Sequence, residues 1–342
     1  MTNLLCNKLF VLAPYYLKLT SGNSAFIAIL LFYVVAFVLF RLCINLYPQK
    51  KDLLDVTQYK SQRLIIGVIV SFAFCIVTTL TLRQFSEGIK VMTMQKSPVS
   101  FIGGIFGFAM IFGATCGIKS IAKTNNFFVP FIYAVAMLLT LATINKNDLL
   151  GIFPIFGYGL NVIIPKGFII LSMLFETIMF FILPPNLYEP NDIKKIGNYS
   201  FLFSLVIFIT IGGIYCIITP PSSNFESYEP FFRLIKQIEL GNFLQRFDSL
   251  FLILYCLSAF LYLSTSLYFS TYIFTKTFKL SETKFLVAPI GILIICCSFI
   301  NYLQEYMFNV IEKINYVLWI IAFIIPYIAL IKFRRIKWKK YL

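Results

Sequence analysis

The stretch FIILSMLFETIMFFILPP, residues 168–185, combines a helix-length apolar run with a single carboxylate near its middle. A run of about 20 apolar residues is long enough to cross the hydrocarbon core of a bilayer as a helix. An ionisable residue at that depth is costly in free energy and commonly serves a function. The stretch therefore predicts a transmembrane helix over residues 167–184 and marks Glu176 as a candidate functional residue.

The composition extends this membrane character to the whole chain. Hydrophobic residues make up 59% of the 342 residues and charged residues 13%, and the mean hydropathy is +0.86. Soluble domains are roughly 45–50% apolar and about 25% charged, so the composition excludes a soluble enzyme, a disordered chain and a nucleic-acid module. The chain has no histidine, which excludes Ser-His-Asp catalysis and histidine metal sites. We expect no enzyme activity, cofactor, metal or nucleic-acid partner.

Nine long apolar runs and one short run predict an all-α fold, a polytopic bundle of about ten transmembrane helices. The long runs cover residues 24–46, 64–85, 99–118, 126–144, 167–184, 199–219, 247–274, 285–303 and 314–333. The short run, 4–17, has about 14 residues and contains Asn7, Lys8 and Pro14, so it predicts the second half of a broken helix. We expect Lys8 to extend outward from so short a segment; the alternative is that it faces the bundle.

The basic residues of the chain, whose formal net charge is +15, collect in the loops of one side when the spans alternate. This asymmetry predicts a cytoplasmic C-terminus, and the basic tail 332–342 contributes most to it. The tail is also suited to anionic lipid headgroups. On the outer side, residues 148–166 are expected to lie on or dip into the membrane. Residues 222–246 are expected to form an amphipathic segment on the outer surface.

Polar residues within the apolar spans are the candidates for a ligand site. Glu176 can carry a coupling proton, pair with a ligand ammonium or hydrogen-bond a neighbouring helix, and the sequence leaves these roles open. Thr265 and Ser266 belong to a hydroxyl-rich stretch, 264–271, that either bonds across packed helices or lines a polar pocket. With the short run counted as the first span, the fourth span is 99–118. Its glycines indicate close helix packing: Gly103, Gly104, Gly107, Gly113 and Gly117.

Three motifs give the chain a resemblance to a known family. The first leads into the eighth span and comprises EPFFRLI at 229–235 and GNFLQRFDSLF at 241–251. The others are GIKSIA at 117–122 and FPIFGYG at 153–159. With these motifs the chain resembles the spore germination permease family, the integral-membrane B subunit of nutrient germinant receptors. That family is a distant branch of the amino acid–polyamine–organocation (APC) transporter superfamily.

The resemblance implies one permease-like domain over residues 1–342, built from two inverted five-helix repeats at about 1–144 and 167–342. Helices one and six would be discontinuous, with a ligand site where they break. The ligand-binding residues implied there are Glu176, Phe175, Thr177, Ser172, Thr265, Ser266 and Asn7. The chain departs from the family pattern because the Pro and Gly that precede the acid are missing. Asn7 and Lys8 replace glycines of the first helix, and Tyr262 stands where many relatives carry Lys.

The function implied by the resemblance is sensing of a nutrient, such as an amino acid, at the inner membrane of an endospore. The implied partners are a larger membrane A subunit and a lipoprotein C subunit, through which the nutrient triggers germination. One alternative is a proton-coupled amino acid transporter with Glu176 as the proton carrier. Another is a scaffold that keeps the fold without a ligand site.

Overall fold

The computed structural model describes residues 1–10, 25–47, 52–57, 59–144, 159–183, 192–214, 232, 235–236, 247–300, 313–314 and 316–339. All regular secondary structure in these ranges is helical. In chain order the helices are α1 (Thr2–Cys6), α2 (Ala25–Leu46), α3 (Leu53–Val56), α4 (Lys60–Met92), α5 (Val99–Thr115), α6 (Gly117–Ala142), α7 (Leu160–Met173), α8 (Ile193–Ile207), α9 (Phe247–Phe278), α10 (Lys284–Ser298) and α11 (Ile325–Lys339). Two 3-10 segments, Asn7–Phe10 and Phe175–Phe181, and two π-helical turns, Phe208–Gly213 and Ile320–Ile324, interrupt or extend these helices.

Several of these helices have the length and apolar character of membrane spans. Six helices are long and apolar enough to cross a membrane. A seventh span results if α7 and the 3-10 segment after it are counted together. Helices α5 and α10 are apolar but shorter, with 17 and 15 residues. The described residues thus hold six or seven spans by length and composition, fewer than the ten or so that the sequence predicts. The short helices α1, α5 and α10 account for the difference.

Some boundaries differ from those expected from hydropathy. Helix α4 has 33 residues and extends at both ends beyond the predicted span 64–85. Helix α6 begins at Gly117, so the predicted inner loop at 119–125 is helical. The reason is that Lys119 and Lys123 occupy exposed positions of an amphipathic helix, which carries charge without breaking its backbone. Gly117, the first residue of α6, has a φ of +80°, a conformation that favours glycine.

The segments predicted outside the spans are described only in part. Residues 148–158 lie outside the described ranges, whereas the end of the predicted outer segment 148–166 forms the first turns of α7. The predicted amphipathic segment 222–246 lies almost wholly outside the described residues. The basic tail begins as a continuation of α11, which extends to Lys339.

Helix α9 is the central helix of the bundle and packs on α4, α5, α6 and α10. In an apolar stretch of 18 residues within α9, 67% of the residues are buried. The Phe85 ring of α4 lies edge-on to the Tyr255 ring of α9, with centroids 4.8 Å apart. A hydrogen bond joins the same two helices, since Thr78 Oγ1 and Ser266 Oγ are 2.5 Å apart.

The glycines of α5 let neighbouring helices approach closely. A Cβ at Gly107 would lie 2.4 Å from Ile295 Cγ1 of α10, and a Cβ at Gly113 would lie 2.4 Å from Ser264 Oγ of α9. At Gly104 no atom of the described residues would lie within 4 Å. The close packing predicted for this span is therefore confirmed for Gly103, Gly107 and Gly113 and wrong for Gly104 and Gly117.

A buried ion cluster joins α3 to the C-terminal end of α9. Lys276 Nζ binds Asp52, which is fully buried, and lies 2.9 Å from Asp55 Oδ2. Arg63 of α4 donates to the Lys276 carbonyl. Asp52 Oδ1 also accepts the Asp55 backbone N–H at 2.8 Å and so caps α3. Burial raises the pKa of Asp52 to about 6, against the opposing effect of Lys276.

Candidate functional site

The sixth apolar segment is bent in the middle. Helix α7 ends at Met173, and the following 3-10 segment is inclined to it by 46°. Leu174 at the junction has φ −96° and ψ 21°, outside the helical region, and its carbonyl accepts the Thr177 N–H at 2.9 Å. The discontinuity expected from the resemblance is therefore present although the Pro and Gly of the family pattern are missing. The bend places Glu176 in the first turn of the 3-10 segment.

Glu176 is fully buried and has two polar partners. Tyr262 of α9, also fully buried, donates its hydroxyl to Glu176 Oε1 at 2.6 Å. Lys8 Nζ lies 3.0 Å from Oε1 and 3.1 Å from Oε2 of the same carboxylate. The exposed fraction of the Lys8 side chain is 17%, so the ammonium is the member of the pair nearer to solvent. The expectation that Lys8 extends outward is wrong, because the buried carboxylate provides the ammonium with a counter-charge.

The first segment changes from α-helix to a 3-10 segment at Asn7, whose backbone stays in the right-handed helical region. Asn7 Nδ2 donates to the Ser258 carbonyl at 3.0 Å and to Ser258 Oγ at 2.6 Å. Among the described residues Asn7 Oδ1, although buried, has no hydrogen-bond partner. The Asn7 side chain thus attaches the first segment to α9 and leaves one acceptor oxygen available.

A second polar contact attaches α1 to α6. Asn3 Oδ1 accepts the Tyr133 hydroxyl at 3.0 Å, and Asn3 Nδ2 donates to Asn125 Oδ1 at 3.2 Å. Asn125 in turn lies 3.5 Å from Thr265 Oγ1 of α9. A chain of amide and hydroxyl groups therefore runs from α1 across α6 to α9.

The other residues predicted for the site divide into two groups. Phe175 and Thr177 flank Glu176 on the 3-10 segment and are fully buried. Thr177 Oγ1 has no hydrogen-bond partner among the described residues. The Phe175 ring packs on Phe74 of α4, with centroids 4.7 Å apart.

The hydroxyl groups of the second group are occupied by helix contacts. Ser172 donates to the Ile169 carbonyl at 2.7 Å within α7. Thr265 donates to the Leu261 carbonyl at 2.6 Å, and Ser266 bonds to Thr78. For Ser266 the structure favours the alternative of bonding across packed helices over that of lining a pocket.

Sequence reasoning missed Lys8 and Tyr262 as the groups that contact Glu176. The signal for Lys8 was present: a charge in an apolar segment needs a counter-charge, and Glu176 is the carboxylate of the sixth span. For Tyr262 the resemblance marked the position, where many relatives carry Lys, but its partner depends on how α9 packs.

This arrangement gives a neutral but highly polar site in an apolar bundle. One ammonium, one carboxylate and one phenol hydroxyl meet where the first segment and the bent sixth segment approach α9. Helix ends at such breaks expose N–H groups that favour a carboxylate and C=O groups that favour an ammonium. Within the described residues no cluster of side chains is suited to a metal ion.

Comparison with known proteins identifies relatives of the chain. The family described as "Spore germination protein" matches residues 10–306. Spore germination protein KB of Bacillus subtilis (strain 168) is 23% identical over 291 residues, which is 81% of this chain and 77% of that protein. The putative spore germination protein YfkT of the same strain is 24% identical over 269 residues, covering 77% of this chain and 72% of that protein.

Two solved structures share the fold. MhsT in complex with L-phenylalanine has a TM-score of 0.66 at 13% identity, covering 96% of this chain and 86% of that chain. Mhp1, a nucleobase-cation-symport-1 family transporter in a closed conformation with bromovinylhydantoin bound, has a TM-score of 0.63 at 14% identity. That match covers 91% of this chain and 73% of Mhp1. The fold is thus the LeuT/APC-like fold. The chain is a multi-pass membrane protein without enzymatic activity, and it belongs to the spore germination permease family, the family of germinant receptor B subunits.

Proposed function

We propose that this chain is the nutrient-sensing subunit of a spore germinant receptor and that it binds a small molecule, such as an amino acid, beside Glu176. The observation that carries the proposal is the buried contact of Glu176 with Lys8 and Tyr262. It joins the first segment, the bent sixth segment and α9. An amino acid has one ammonium and one carboxylate, the two charges that Glu176 and Lys8 complement.

Binding at this contact changes the balance between two arrangements of the bundle. A ligand that inserts between Lys8 and Glu176 replaces one internal ion pair by two pairs with its own charges. The shift it produces is limited by its difference in affinity for the two arrangements. The signal then passes to a membrane A subunit and a lipoprotein C subunit in the inner membrane of the endospore.

The proposal includes a membrane topology. The six long helices, the bent segment, α5, α10 and the first segment together provide ten crossings in two inverted five-helix repeats. The distribution of Lys and Arg favours a cytoplasmic position for the basic end of α11. Helices α5 and α10, at about 1.5 Å per residue, cross where the bilayer is locally thin or where neighbouring helices cover their ends.

The decisive experiment replaces the gene in spores by a Glu176→Gln variant. A deletion strain first identifies, from a panel of amino acids, the nutrient whose response is lost. The Glu176→Gln strain is then expected to need at least about ten-fold more of that nutrient, because a charge-assisted hydrogen bond is replaced by a neutral one. Glu282→Gln, at an exposed position, is the matched control and should respond as the wild type does. An unchanged response of Glu176→Gln would contradict the proposal and favour the scaffold.

Transport is a second candidate function, because Mhp1, one of the two solved structures that share this fold, is described as a transporter. Purified protein in liposomes separates the two functions. Concentrative uptake of a labelled amino acid that depends on a pH gradient, and that Glu176→Gln abolishes, would favour proton-coupled transport. Binding of the nutrient without uptake supports the receptor.

A further inference from the structure

A groove of about 290 Å³ lies at one end of the bundle, outside the site around Glu176. One wall is formed by the end of α3 and the first turns of α4, and the other by α11. Ile65 of α4 and Ile328 of α11 are 59% and 48% exposed, although they lie in membrane-spanning helices. The groove is therefore open to whatever surrounds the bundle.

The polarity of the groove changes along its length in the same direction on both walls. On α4 the lining residues change from Tyr59 and Gln62 to Ile65, Ile66 and Ile69. Tyr59, at the N-cap, is 60% exposed, as is usual for an aromatic residue at a membrane interface.

The opposite wall shows the same change in reverse chain order. On α11 the lining residues change from Ile325, Ile328 and Ala329 to Lys332 and the aromatic Phe333. Arg334, half a turn beyond Lys332, donates to the Asn45 carbonyl at the end of α2 at 3.1 Å. The C-terminal end of α11 therefore lies at the side of the bundle where α2 ends and α4 begins. The groove has a cationic, polar mouth at that side and an apolar floor that extends toward the membrane interior.

We propose that this groove binds an anionic phospholipid of the leaflet on the C-terminal side. One acyl chain lies between α4 and α11 along the isoleucines, and the phosphate meets Lys332 at the mouth. Charge complementarity selects this occupant, because Lys332 is the charged residue of the described lining and no acidic residue lines the groove there. A basic residue near a membrane surface attracts anionic lipid, and a groove between helices at that level holds the chain of the same molecule.

The bound lipid also contacts the segment that carries the buried ion cluster. Val56 and Thr57 line the groove directly after Asp55, which binds Lys276. A chain in the groove fills space beside α3 and so supports the position of Asp52 against α9. The lipid is thus expected to stabilise the folded bundle.

Native mass spectrometry of the full chain, released from detergent micelles, tests the proposal. The probes are dioleoylphosphatidylglycerol and dioleoylphosphatidylcholine, which have the same chains and differ in net charge. The wild type is expected to bind the anionic lipid about five-fold more tightly, which corresponds to one interfacial basic residue. Lys332→Gln should abolish this preference. Lys284→Gln removes an exposed charge at the start of α10 and should leave the preference unchanged.

A second variant tests the acyl-chain part of the groove. Ile328→Trp fills the floor and should weaken binding of both lipids by about five-fold or more, while its thermal unfolding without added lipid stays close to that of the wild type. Equal affinity of the wild type for the two lipids would overturn the proposal, as would an effect of Lys284→Gln equal to that of Lys332→Gln. Co-purification of a second polypeptide that Ile328→Trp abolishes, with lipid binding unchanged, would assign the groove to a protein partner instead.

Discussion

Replacing Lys8 by Met tests whether the buried ion pair holds the first segment and the bent sixth segment together. The substitution removes the ammonium that lies 3.0 Å from Glu176 Oε1 and keeps an apolar side chain of similar length. Breaking a buried ion pair from one side costs about 3–5 kcal/mol, because the other charge is left uncompensated. Two observations place the expected cost at the lower end. Lys8 is 17% exposed, and Glu176 keeps the Tyr262 hydrogen bond at 2.6 Å.

The expected loss in the free energy of unfolding is therefore about 3 kcal/mol. Adding Glu176→Gln to Lys8→Met removes the uncompensated charge and keeps an acceptor for Tyr262. The double variant should thus regain about 2 kcal/mol and lie closer to the wild type than Lys8→Met does. The measurement is reversible unfolding of purified protein in mixed detergent micelles, with Lys284→Met as the control for loss of an exposed lysine.

Two results would refute this reasoning. The free energy of unfolding of Lys8→Met could lie within about 0.5 kcal/mol of the wild-type value, which is the range of surface substitutions. Alternatively the two substitutions could add independently, which would mean that Lys8 and Glu176 do not interact in the membrane-embedded protein. If Lys8→Met does not accumulate at all, recovery of folded protein in the double variant supports the ion pair.

Two further predictions concern helix packing and the ion cluster. Gly107→Ala should lower stability by about 1–3 kcal/mol in thermal unfolding, since its Cβ overlaps Ile295, whereas Gly104→Ala on the same helix should show no loss. Asp52 has a pKa of about 6 in the folded protein, so that the folded state takes up a proton there before the unfolded state does as the pH falls. Between pH 7 and 4 the wild type should therefore gain about 2 kcal/mol relative to Asp52→Asn, with the difference in unfolding temperature as the measurement. A pH-independent difference would contradict the assigned burial of Asp52 beside Lys276.

The positions of the helices could be predicted from the sequence because hydropathy is a local property. The run 24–46 corresponds to α2 at Ala25–Leu46, and the run 247–274 corresponds to α9 at Phe247–Phe278. Helix ends were less predictable. Helix α6 begins before its apolar run because the energy of backbone hydrogen bonds does not depend on whether the side chains are charged.

The partners of polar residues could not be predicted from the sequence in the same way. Lys8 and Glu176 are 168 residues apart, and their pairing depends on the docking of the first segment against the bent sixth segment. The acid itself was evident, since a single carboxylate in an apolar run needs compensation wherever it lies. Which of several hydroxyl and phenol groups of α9 provides that compensation follows from the rotation of α9, to which hydropathy is insensitive.

Each fully buried carboxylate of the described residues is paired with a basic residue, which constrains the ligand that the site can accept. Lys8 pairs with Glu176 and Lys276 pairs with Asp52, whereas Asp55, the second acid beside Lys276, is exposed. A ligand with a net charge would upset this balance in a medium of low dielectric constant, where an uncompensated charge is costly. A zwitterion brings one charge of each sign and leaves the sum at the Lys8–Glu176 pair unchanged. The electrostatics of the site therefore support an amino acid over a simple cation or anion as the proposed nutrient.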